Sequence, residues 1–379
     1  MKRVILCLDG TWNDNRAGST LTNVAKLHQA IATADHEGVR QVSHYLEGIA
    51  STAGESAQFL KGAVGYGIDD RIRKAYELLA MDYEPGDEIY LFGFSRGAFE
   101  ARSLAGFITR FGIARSASDF PYQRAWSLYR RHTAGLRKRS LAKVRAAAHY
   151  PARIKCVGVW DTVGNIGNPF DSDGLIGRMF KFHDTHLSDT IDVALHALAI
   201  DEMRGPFRPT MWSLPRRRPL PAHQHVEQVW FAGSHGDVGG GFTETALSDI
   251  ALRWMAERTS ATTGLAFDMA GLERSTSPDP LGPQHLSATG SIFRWSRLLP
   301  FVRLVKQAVE GIPTLRRMLI GTWRSSKLRP GHASVNESIH DSVVQRFGQR
   351  VIELRDGRSH AIVYRPSNLV PLLDARKRR

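Results

Sequence analysis

Residues 88–100 read EIYLFGFSRGAFE, and this stretch decides the fold. Residues 88–92 form an apolar run typical of a buried strand, and residues 98–111 have a helical pattern. Between them, GFSRG at 93–97 matches the G-x-S-x-G turn, whose glycines allow a tight backbone that projects the serine above a sheet edge. The pattern predicts Ser95 as a nucleophile. A glycine-flanked loop serine without chemistry is the alternative that the same five residues leave open.

Strand and helix patterns alternate along the chain. Five short runs, nearly continuous in apolar residues, are typical of strands covered on both faces: residues 4–8, 42–46, 88–92, 154–160 and 226–231. Helical patterns occupy residues 21–33 and 69–81. This alternation predicts an α/β fold with a mostly parallel central sheet flanked by helices. Residues 260–285, which carry three prolines, are interpreted as a loop or linker.

Composition is that of an ordinary soluble globular protein, with 42% hydrophobic and 23% charged residues among 379. No stretch approaches the ~20 apolar residues that span a bilayer. The apolar run at the N-terminus stops at Asp9, which is too short for a signal peptide. We therefore expect a cytoplasmic protein. Only Cys7 and Cys156 are present, so a disulfide framework and C-x-x-C metal sites are excluded, and both are expected to be core thiols.

The net charge of +14 is concentrated in two segments. Residues 115–155 carry +10 and residues 291–329 carry +8, which leaves −4 for the rest of the chain. The first segment is predicted to contain a basic helical insertion at about 115–150. Segments of this kind favour anionic partners such as phospholipid headgroups, nucleic acid or an acidic protein.

The second basic segment has an amphipathic pattern. Around Pro300, apolar and aromatic residues alternate with four cations: Arg294, Arg297, Arg303 and Lys306. A basic and aromatic amphipathic stretch suits a membrane interface. A packed helical cap with a solvated basic face has the same pattern. Contact with an anionic membrane through 291–329 is thus one of two expectations for this segment.

A serine nucleophile needs a base and an orienting carboxylate, and suitable residues follow Ser95 in the order usual for this fold class. Asp161 comes directly after the predicted strand 154–160. His235 follows the strand 226–231 and begins a glycine-rich loop. Other histidines lie in less suitable contexts, among them His183, His186, His196 and His340. An N-cap or turn role for Asp161 and a structural role for His235 are the alternatives.

Stabilisation of an oxyanion requires two N–H donors. The first is expected from Arg96, directly after the nucleophile, and the second from Gly10 or Thr11, just after the first strand. Asp9 and Asp237 are placed to support the pocket or its loops, as are the turn glycines Gly93 and Gly97. A cation near Asp9 and Asp237 is left open, and no metal or cofactor is expected.

Two other stretches resemble catalytic or phosphate-binding motifs but lack residues that those motifs require. LDGT at 8–11 resembles the end of the D-x-D-G-T motif of haloacid-dehalogenase-type phosphatases, but Cys7 stands where their nucleophilic aspartate would be. The glycine-rich run 236–241 lacks the Lys-Ser/Thr of a phosphate-binding P-loop.

Four ordered motifs together resemble a known family: LDGTWN at 8–13, GFSRGA at 93–98, VWDTV at 159–163 and WFAGSHGDVGGG at 230–241. This is the bacterial and fungal uncharacterised α/β-hydrolase domain family that includes type VI secretion phospholipase effectors. Gly236 departs from the pattern, since serine is frequent there. The resemblance implies an α/β-hydrolase-like fold, lipase or phospholipase chemistry and a triad of Ser95, Asp161 and His235. It also implies an effector delivered by a secretion system without a cleaved signal.

Together these observations predict a catalytic domain over 1–260 that includes the basic insertion. Residues 261–379 are expected to form a linker, a basic amphipathic cap and a C-terminal segment packed on the same domain. The predicted activity is serine acyl-ester hydrolysis by a lipase or phospholipase A-type enzyme on membrane lipid. A soluble carboxylesterase or thioesterase is the enzymatic alternative. A non-catalytic module that binds membrane or nucleic acid is the other, although no nucleic-acid fold motif is present and no nucleic acid is expected. The oligomeric state is left open.

Overall fold

A seven-stranded sheet forms the centre of the molecule, and all of its neighbouring strands are parallel. The computed structural model describes residues 1–10, 20–48, 67–116, 118–130, 138–163, 187–215, 218–287, 302–303, 305 and 332–374. From one edge to the other the sheet consists of β2 (Gln41–Leu46), β1 (Arg3–Leu8), β3 (Glu88–Phe94), β6 (Ile154–Trp160), β7 (Ile191–Ala199), β9 (His225–Phe231) and β12 (Glu337–Ile339). The predicted α/β class is confirmed.

Helices cover both faces of the sheet. The described helices are α1 (Asn23–Ala30), α2 (Ile68–Asp82), α3 (Arg96–Phe111), α4 (Tyr122–Arg130), α5 (Lys138–Ala146), α6 (His235–Gly239), α7 (Ala246–Thr263), α8 (Met269–Ser275), α9 (Asp341–Arg346) and α10 (Val370–Leu373). Side chains of β1 alternate between two cores, as the two-residue period of a strand requires. Leu6 packs in the core with α2 and α3, whereas Ile5 and Cys7 pack with α1 and α7. None of the described helices is long and apolar enough to cross a bilayer.

The five predicted strands are confirmed to within two residues at each end, but the central strand β7 was not predicted. Its sequence, IDVALHALA, is rich in alanine and interrupted by Asp192 and His196, so it has neither the β-branched content nor the clean period of a strand. Tertiary context determines it instead, because β6 and β9 pair with it on both sides. Both cysteines are buried and free, which confirms the prediction of core thiols.

The basic region around 115–150 contains α4 and α5, preceded and followed by the short paired strands β4 (Ile113–Ala114) and β5 (Ala148–His149). Trp126 and Tyr129 are buried, whereas Arg124, Arg139 and Lys143 are exposed. Helix α4 therefore packs an aromatic face on the domain, and both helices present cations to solvent.

Described residues after position 260 contribute the seventh strand of the sheet. Strand β12 pairs with β9 as the seventh strand. Residues 260–285, interpreted as a loop or linker, include α8, whose N-cap Asp268 accepts a hydrogen bond from the Gly271 N–H. The prolines lie beyond this helix and do not interrupt it. The smaller sheets pair β8 (Ser213–Pro215) with β11 (His332–Ser334), and β13 (Arg350–Arg355) with both β10 (Gln284–His285) and β14 (Arg358–Val363).

The basic segment 291–329 lies outside the described residues except for 302, 303 and 305. Its predicted contact with a membrane and its role as a cap stay predictions, as does the division into 1–260 and 261–379. The described residues Arg303 and Val305 are both buried.

Candidate active site

The three predicted site residues follow three strands of the sheet at the same edge. Ser95 directly follows β3, Asp161 directly follows β6, and His235 lies four residues beyond the end of β9. Strands β3 and β6 are neighbours, and the last residue of each pairs with the other, which places Ser95 beside Asp161. The chain adds β2 on one side of β1 and then β3 on the other side, so the sequence order of the strands switches between β1 and β3. In open α/β sheets, ligands bind in the crevice at such a switch point.

Ser95 occupies a strained turn. Its φ is +58°, in a region that L-residues rarely adopt, and α3 begins at the next residue. A Cβ on Gly93 would lie 2.4 Å from the Gly97 carbonyl oxygen, and one on Gly97 would lie 2.1 Å from that of Leu8. Only glycine fits at either position, so the G-x-S-x-G motif forms a tight strand-to-helix turn. Ser95 is held at its tip with 7% of its surface exposed.

His235 is the first residue of the short helix α6 and is 7% exposed. Its imidazole lies between two aromatic rings, that of Phe94 at 4.6 Å and that of Phe207 at 5.1 Å between centroids. Because Phe94 directly precedes Ser95, the first contact places His235 beside the turn. The main-chain N–H of His235 donates to Glu202 Oε2 at 3.3 Å.

Asp161 and His235 are hydrogen-bonded, with Asp161 Oδ2 2.6 Å from His235 Nδ1. Asp161 is fully buried. Burial lowers the pKa of His235, and this outweighs the opposing effect of Asp161. The imidazole is therefore neutral near pH 7, with Nδ1–H donated to Asp161 and Nε2 able to accept a proton. Within the described residues Ser95 Oγ makes no hydrogen bond to His235, and in unliganded enzymes such contacts frequently tighten only with substrate.

Arg303 is a site residue that sequence reasoning placed elsewhere. The amphipathic pattern predicts it on a basic face turned either to a membrane or to solvent, but it is 0% exposed and contacts both oxygens of Asp161, at 2.6 Å from Nη1 to Oδ1 and 3.0 Å from Nη2 to Oδ2. Burial alone would raise the pKa of Asp161, but Arg303 and His235 lower it below its usual range. The amphipathic pattern around Arg303 gave no signal of this, because a buried arginine partner depends on a carboxylate 142 residues away.

Asp9 supports the loop that faces Ser95. Its carboxylate accepts hydrogen bonds from Thr22 Oγ1 and Tyr45 Oη, both at 2.5 Å, and from the Gly10 N–H at 2.6 Å. A Cβ on Gly10 would lie 3.2 Å from that of Ser95, so this loop does approach the nucleophile. The Gly10 N–H, however, donates to Asp9 Oδ1 in this structure. Thr11, the other candidate for the second oxyanion donor, lies outside the described residues.

Asp237 supports the loop that carries His235. Its Oδ2 accepts hydrogen bonds from the Ser234 N–H and hydroxyl. Ser234 as the N-cap and Asp237 as the third helical residue form a capping box at the start of α6. Asp237 Oδ1 lies 2.6 Å from His285 Nδ1, and His285 Nε2 lies 3.1 Å from Glu244 Oε2. Both oxygens are thus used within the protein. No group of three His, Cys, Asp or Glu side chains that could hold a metal ion occurs in the described ranges.

Of the four other histidines named from the sequence, the two that the structure describes do not join the site. His196 is buried in β7, where its Nε2 accepts the Thr162 N–H, and burial lowers its pKa to about 3. His340 is the N-cap of α9. His183 and His186 lie outside the described residues.

Several known proteins are similar to this chain. A yeast protein from Saccharomyces cerevisiae (strain ATCC 204508 / S288c), "Uncharacterized protein YEL023C", is 30% identical over 229 residues, which are 55% of this chain and 32% of that protein. An uncharacterized protein from Pseudomonas aeruginosa has a solved structure that is 19% identical at a TM-score of 0.45, covering 79% of this chain and 51% of its own. The solved structure of the Tle1 effector bound to the VgrG spike of the type 6 secretion system is 17% identical at a TM-score of 0.37. The match covers 64% of this chain and 52% of the effector chain.

This chain therefore spans about a third of the curated relative and half of each solved chain. The model of one family, described as "T6SS, Phospholipase effector Tle1-like, catalytic domain", matches residues 2–258, which include Ser95, Asp161 and His235. Because this match covers well over half of the sequence, the chain belongs to the family of Tle1-like phospholipase effector catalytic domains of the type VI secretion system.

Proposed function

We propose that this protein is a serine acyl-ester hydrolase that cleaves membrane phospholipid with a triad of Ser95, His235 and Asp161. Membership of a phospholipase effector family supports the substrate class. The observation that carries the mechanism is the 2.6 Å bond between Asp161 and the ring of His235, beside a serine held in a strained turn. In serine hydrolases this arrangement holds the imidazole in the tautomer that accepts the serine proton.

Each side chain has a defined role in the proposed reaction. Ser95 Oγ attacks the ester carbonyl carbon while His235 Nε2 takes its proton, and Asp161 stabilises the imidazolium that forms. His235 then returns that proton to the leaving alcohol, which leaves an acyl group on Ser95. A water molecule, deprotonated by His235, attacks this acyl-enzyme and releases a fatty acid. The lowered pKa of His235 supports the first step, because only the neutral ring can accept a proton.

The tetrahedral oxyanion is proposed to bind to the N–H groups of Arg96 and Thr11. Arg96 is the first residue of α3, where the helix dipole favours negative charge. Thr11 follows Gly10, which lies against the Ser95 side chain. Loss of one oxyanion donor typically lowers kcat by about 10²- to 10³-fold.

Reaction with a fluorophosphonate probe followed by peptide mapping tests the mechanism. We expect label on Ser95, and none on a Ser95→Ala variant that also loses ester hydrolysis. Ser103→Ala is the matched control, since Ser103 is a buried serine on α3 whose hydroxyl has no hydrogen-bond partner among the residues that the structure describes. Label on another residue, or full activity of folded Ser95→Ala, would refute the proposed nucleophile. A complete lack of reaction favours the non-catalytic binding module.

Lipid vesicles test the substrate class. A phospholipase releases fatty acid from phosphatidylcholine or phosphatidylglycerol vesicles faster than it cleaves short soluble esters, whereas a carboxylesterase or thioesterase prefers the soluble ones. We propose docking on anionic lipid through 291–329, so that hydrolysis rises with phosphatidylglycerol content and falls with salt. Rates that do not depend on anionic lipid would contradict this docking. Delivery through a type VI secretion system and synthesis in the cytoplasm are further parts of the proposal.

A further inference from the structure

Both terminal nitrogens of the Arg303 guanidinium donate hydrogen bonds within the protein. Besides Asp161, its Nη1 donates to the Ala199 carbonyl oxygen at 2.7 Å and its Nη2 to that of Phe207 at 2.5 Å. Its own carbonyl accepts a hydrogen bond from Asn368 Nδ2 at 2.9 Å. The guanidinium is thus anchored to three separate segments. A fully buried arginine with this many partners has a fixed position.

The carboxylate of Asp161 is held on both oxygens. Oδ1 accepts hydrogen bonds from the Ala199 N–H at 3.1 Å and from Arg303 Nη1. Oδ2 accepts from His235 Nδ1 and from Arg303 Nη2. A planar guanidinium that binds both oxygens defines the plane of the carboxylate, which a point charge or a single hydrogen bond does not.

We propose that Arg303 is a positioning residue that fixes the Asp161 carboxylate so that Oδ2 faces His235 Nδ1. This inference rests on the proposed function, because the positioned group is the triad acid. Without Arg303, the hydrogen-bond partners of the Asp161 carboxylate among the described residues are the Ala199 N–H and His235, and a carboxylate can rotate about them. Misplacement of a catalytic group by about 1 Å can cost on the order of 10²-fold in rate.

Arg303 also opposes protonation of His235. Both the guanidinium and the imidazole bind Asp161 Oδ2, so a permanent cation lies close to the ring. A nearby like charge disfavours the charged form of the base. Asp161 and Glu202 raise the pKa of His235, whereas Arg204 lowers it. Removal of Arg303 should therefore raise the pKa of His235.

This residue lies outside the part of the chain that defines the family. The family match ends at residue 258, and Arg303 enters the site 45 positions later, held through Asn368 near the C-terminal end of the described chain. The hydrolytic residues of 2–258 are thus completed by a side chain from the C-terminal segment.

Variants of the full chain test the proposal. Arg303→Met removes the charge and keeps the bulk, whereas Arg303→Lys keeps a charge but cannot bind both oxygens in one plane. Arg346→Met is the matched control, because Arg346 is also 0% exposed but binds Pro280, Gly282 and Gln284 instead of Asp161. We expect Arg303→Met to lower kcat on the order of 10²-fold with little change in KM. The acid limb of its pH profile should move up by on the order of one unit.

Arg303→Lys should fold even where Arg303→Met does not, and it should lower kcat while leaving the acid limb close to that of the wild type. Arg346→Met should keep the wild-type pH profile in its folded fraction. Wild-type kcat and acid limb in either folded Arg303 variant would overturn the positioning role. The same change of profile in Arg346→Met would do so too, since it would reflect general loss of packing.

A measurement without turnover separates this inference from the proposed function. In a Ser95→Ala background, NMR of the imidazole reports the pKa of His235 and the hydrogen-bonded Nδ1 proton. Adding Arg303→Met should raise that pKa and broaden or shift the Nδ1–H signal. If the wild type neither hydrolyses esters nor reacts at Ser95, the proposed function fails, and this titration still decides whether Arg303 positions Asp161. An unchanged Nδ1–H signal and pKa would refute the inference alone.

Discussion

Two aspartate–histidine pairs each include one residue of α6, His235 in the first and Asp237 in the second, and they differ in their third partner. His235 Nδ1 is 2.6 Å from Asp161, and His285 Nδ1 is 2.6 Å from Asp237. The first pair also holds the cation Arg303, whereas the second also holds the carboxylate Glu244. Burial lowers the pKa of His235, but two carboxylates overcome burial and raise the pKa of His285. The same bond thus gives a neutral base in one place and favours a cation in the other.

The largest expected difference concerns the two aspartates. Asp161→Asn should lower kcat by about 10⁴-fold, because an amide favours the wrong tautomer of His235. Asp237→Asn should lower kcat far less and cost about 1 kcal/mol of stability, since Asp237 is the N3 partner of Ser234 in the capping box of α6. Ester hydrolysis and urea unfolding of both variants measure the two effects. Equal losses of kcat would show that both pairs belong to the catalytic machinery.

The second prediction concerns the loss of stability when the charged third partner of each pair, Arg303 or Glu244, is replaced. Arg303→Met should lower the free energy of unfolding by about 3–5 kcal/mol, because it leaves the Asp161 charge buried without a cation. The double variant Asp161→Asn/Arg303→Met should regain a large part of this loss, which a double-mutant cycle measures. Glu244→Gln should cost less than about 1 kcal/mol, since Glu244 is 41% exposed. Additive losses in the double variant would mean that Arg303 and Asp161 are not coupled.

A third prediction is that the two histidines give opposite dependence of stability on pH. The pKa of His285 is raised on folding, so its contribution is complete below about pH 6.5 and is lost as pH rises through its folded pKa. The pKa of His235 is lowered, so its contribution is complete above about pH 6.5 and is lost as pH falls. Unfolding of His285→Gln and His235→Gln, each compared with the wild type from pH 5 to 8, tests both signs. If the difference in unfolding free energy from the wild type changed with pH in the same direction for both variants, the opposite signs predicted for His285 and His235 would be contradicted.

The smallest expected effect is the change in the pKa of His285 when its third partner, Glu244, loses its charge. Glu244→Gln removes one of the two carboxylates that raise the pKa of His285, so NMR titration should show a lower pKa for that ring. His235 should titrate as in the wild type, because Glu244 does not contact it. A shift at His235, or none at His285, would mean that the third partner does not explain the contrast.

Much of the sheet could be predicted from local patterns. Strands β1, β2, β3, β6 and β9 are continuous apolar runs because helices cover both of their faces, and this signal needs no knowledge of neighbours. Strand β7 lacked that signal, since alanine is compatible with a helix as well as a strand. Strand β12, with three residues, is too short to carry a period. Pairing with neighbours determines both.

For the candidate site, the sequence by itself determined the order of Ser95, Asp161 and His235 and their places after strands. That was enough to bring them to one edge, because parallel strands end on the same side of a sheet. Only the tertiary structure decided that Gly10 donates to Asp9, that Asp237 binds His285, and that Arg303 is buried against Asp161. The local pattern of apolar and basic residues around Arg303 can predict only that it lies on a basic face. Its buried ion pair depends on Asp161, which is 142 residues away in sequence and becomes adjacent only after folding.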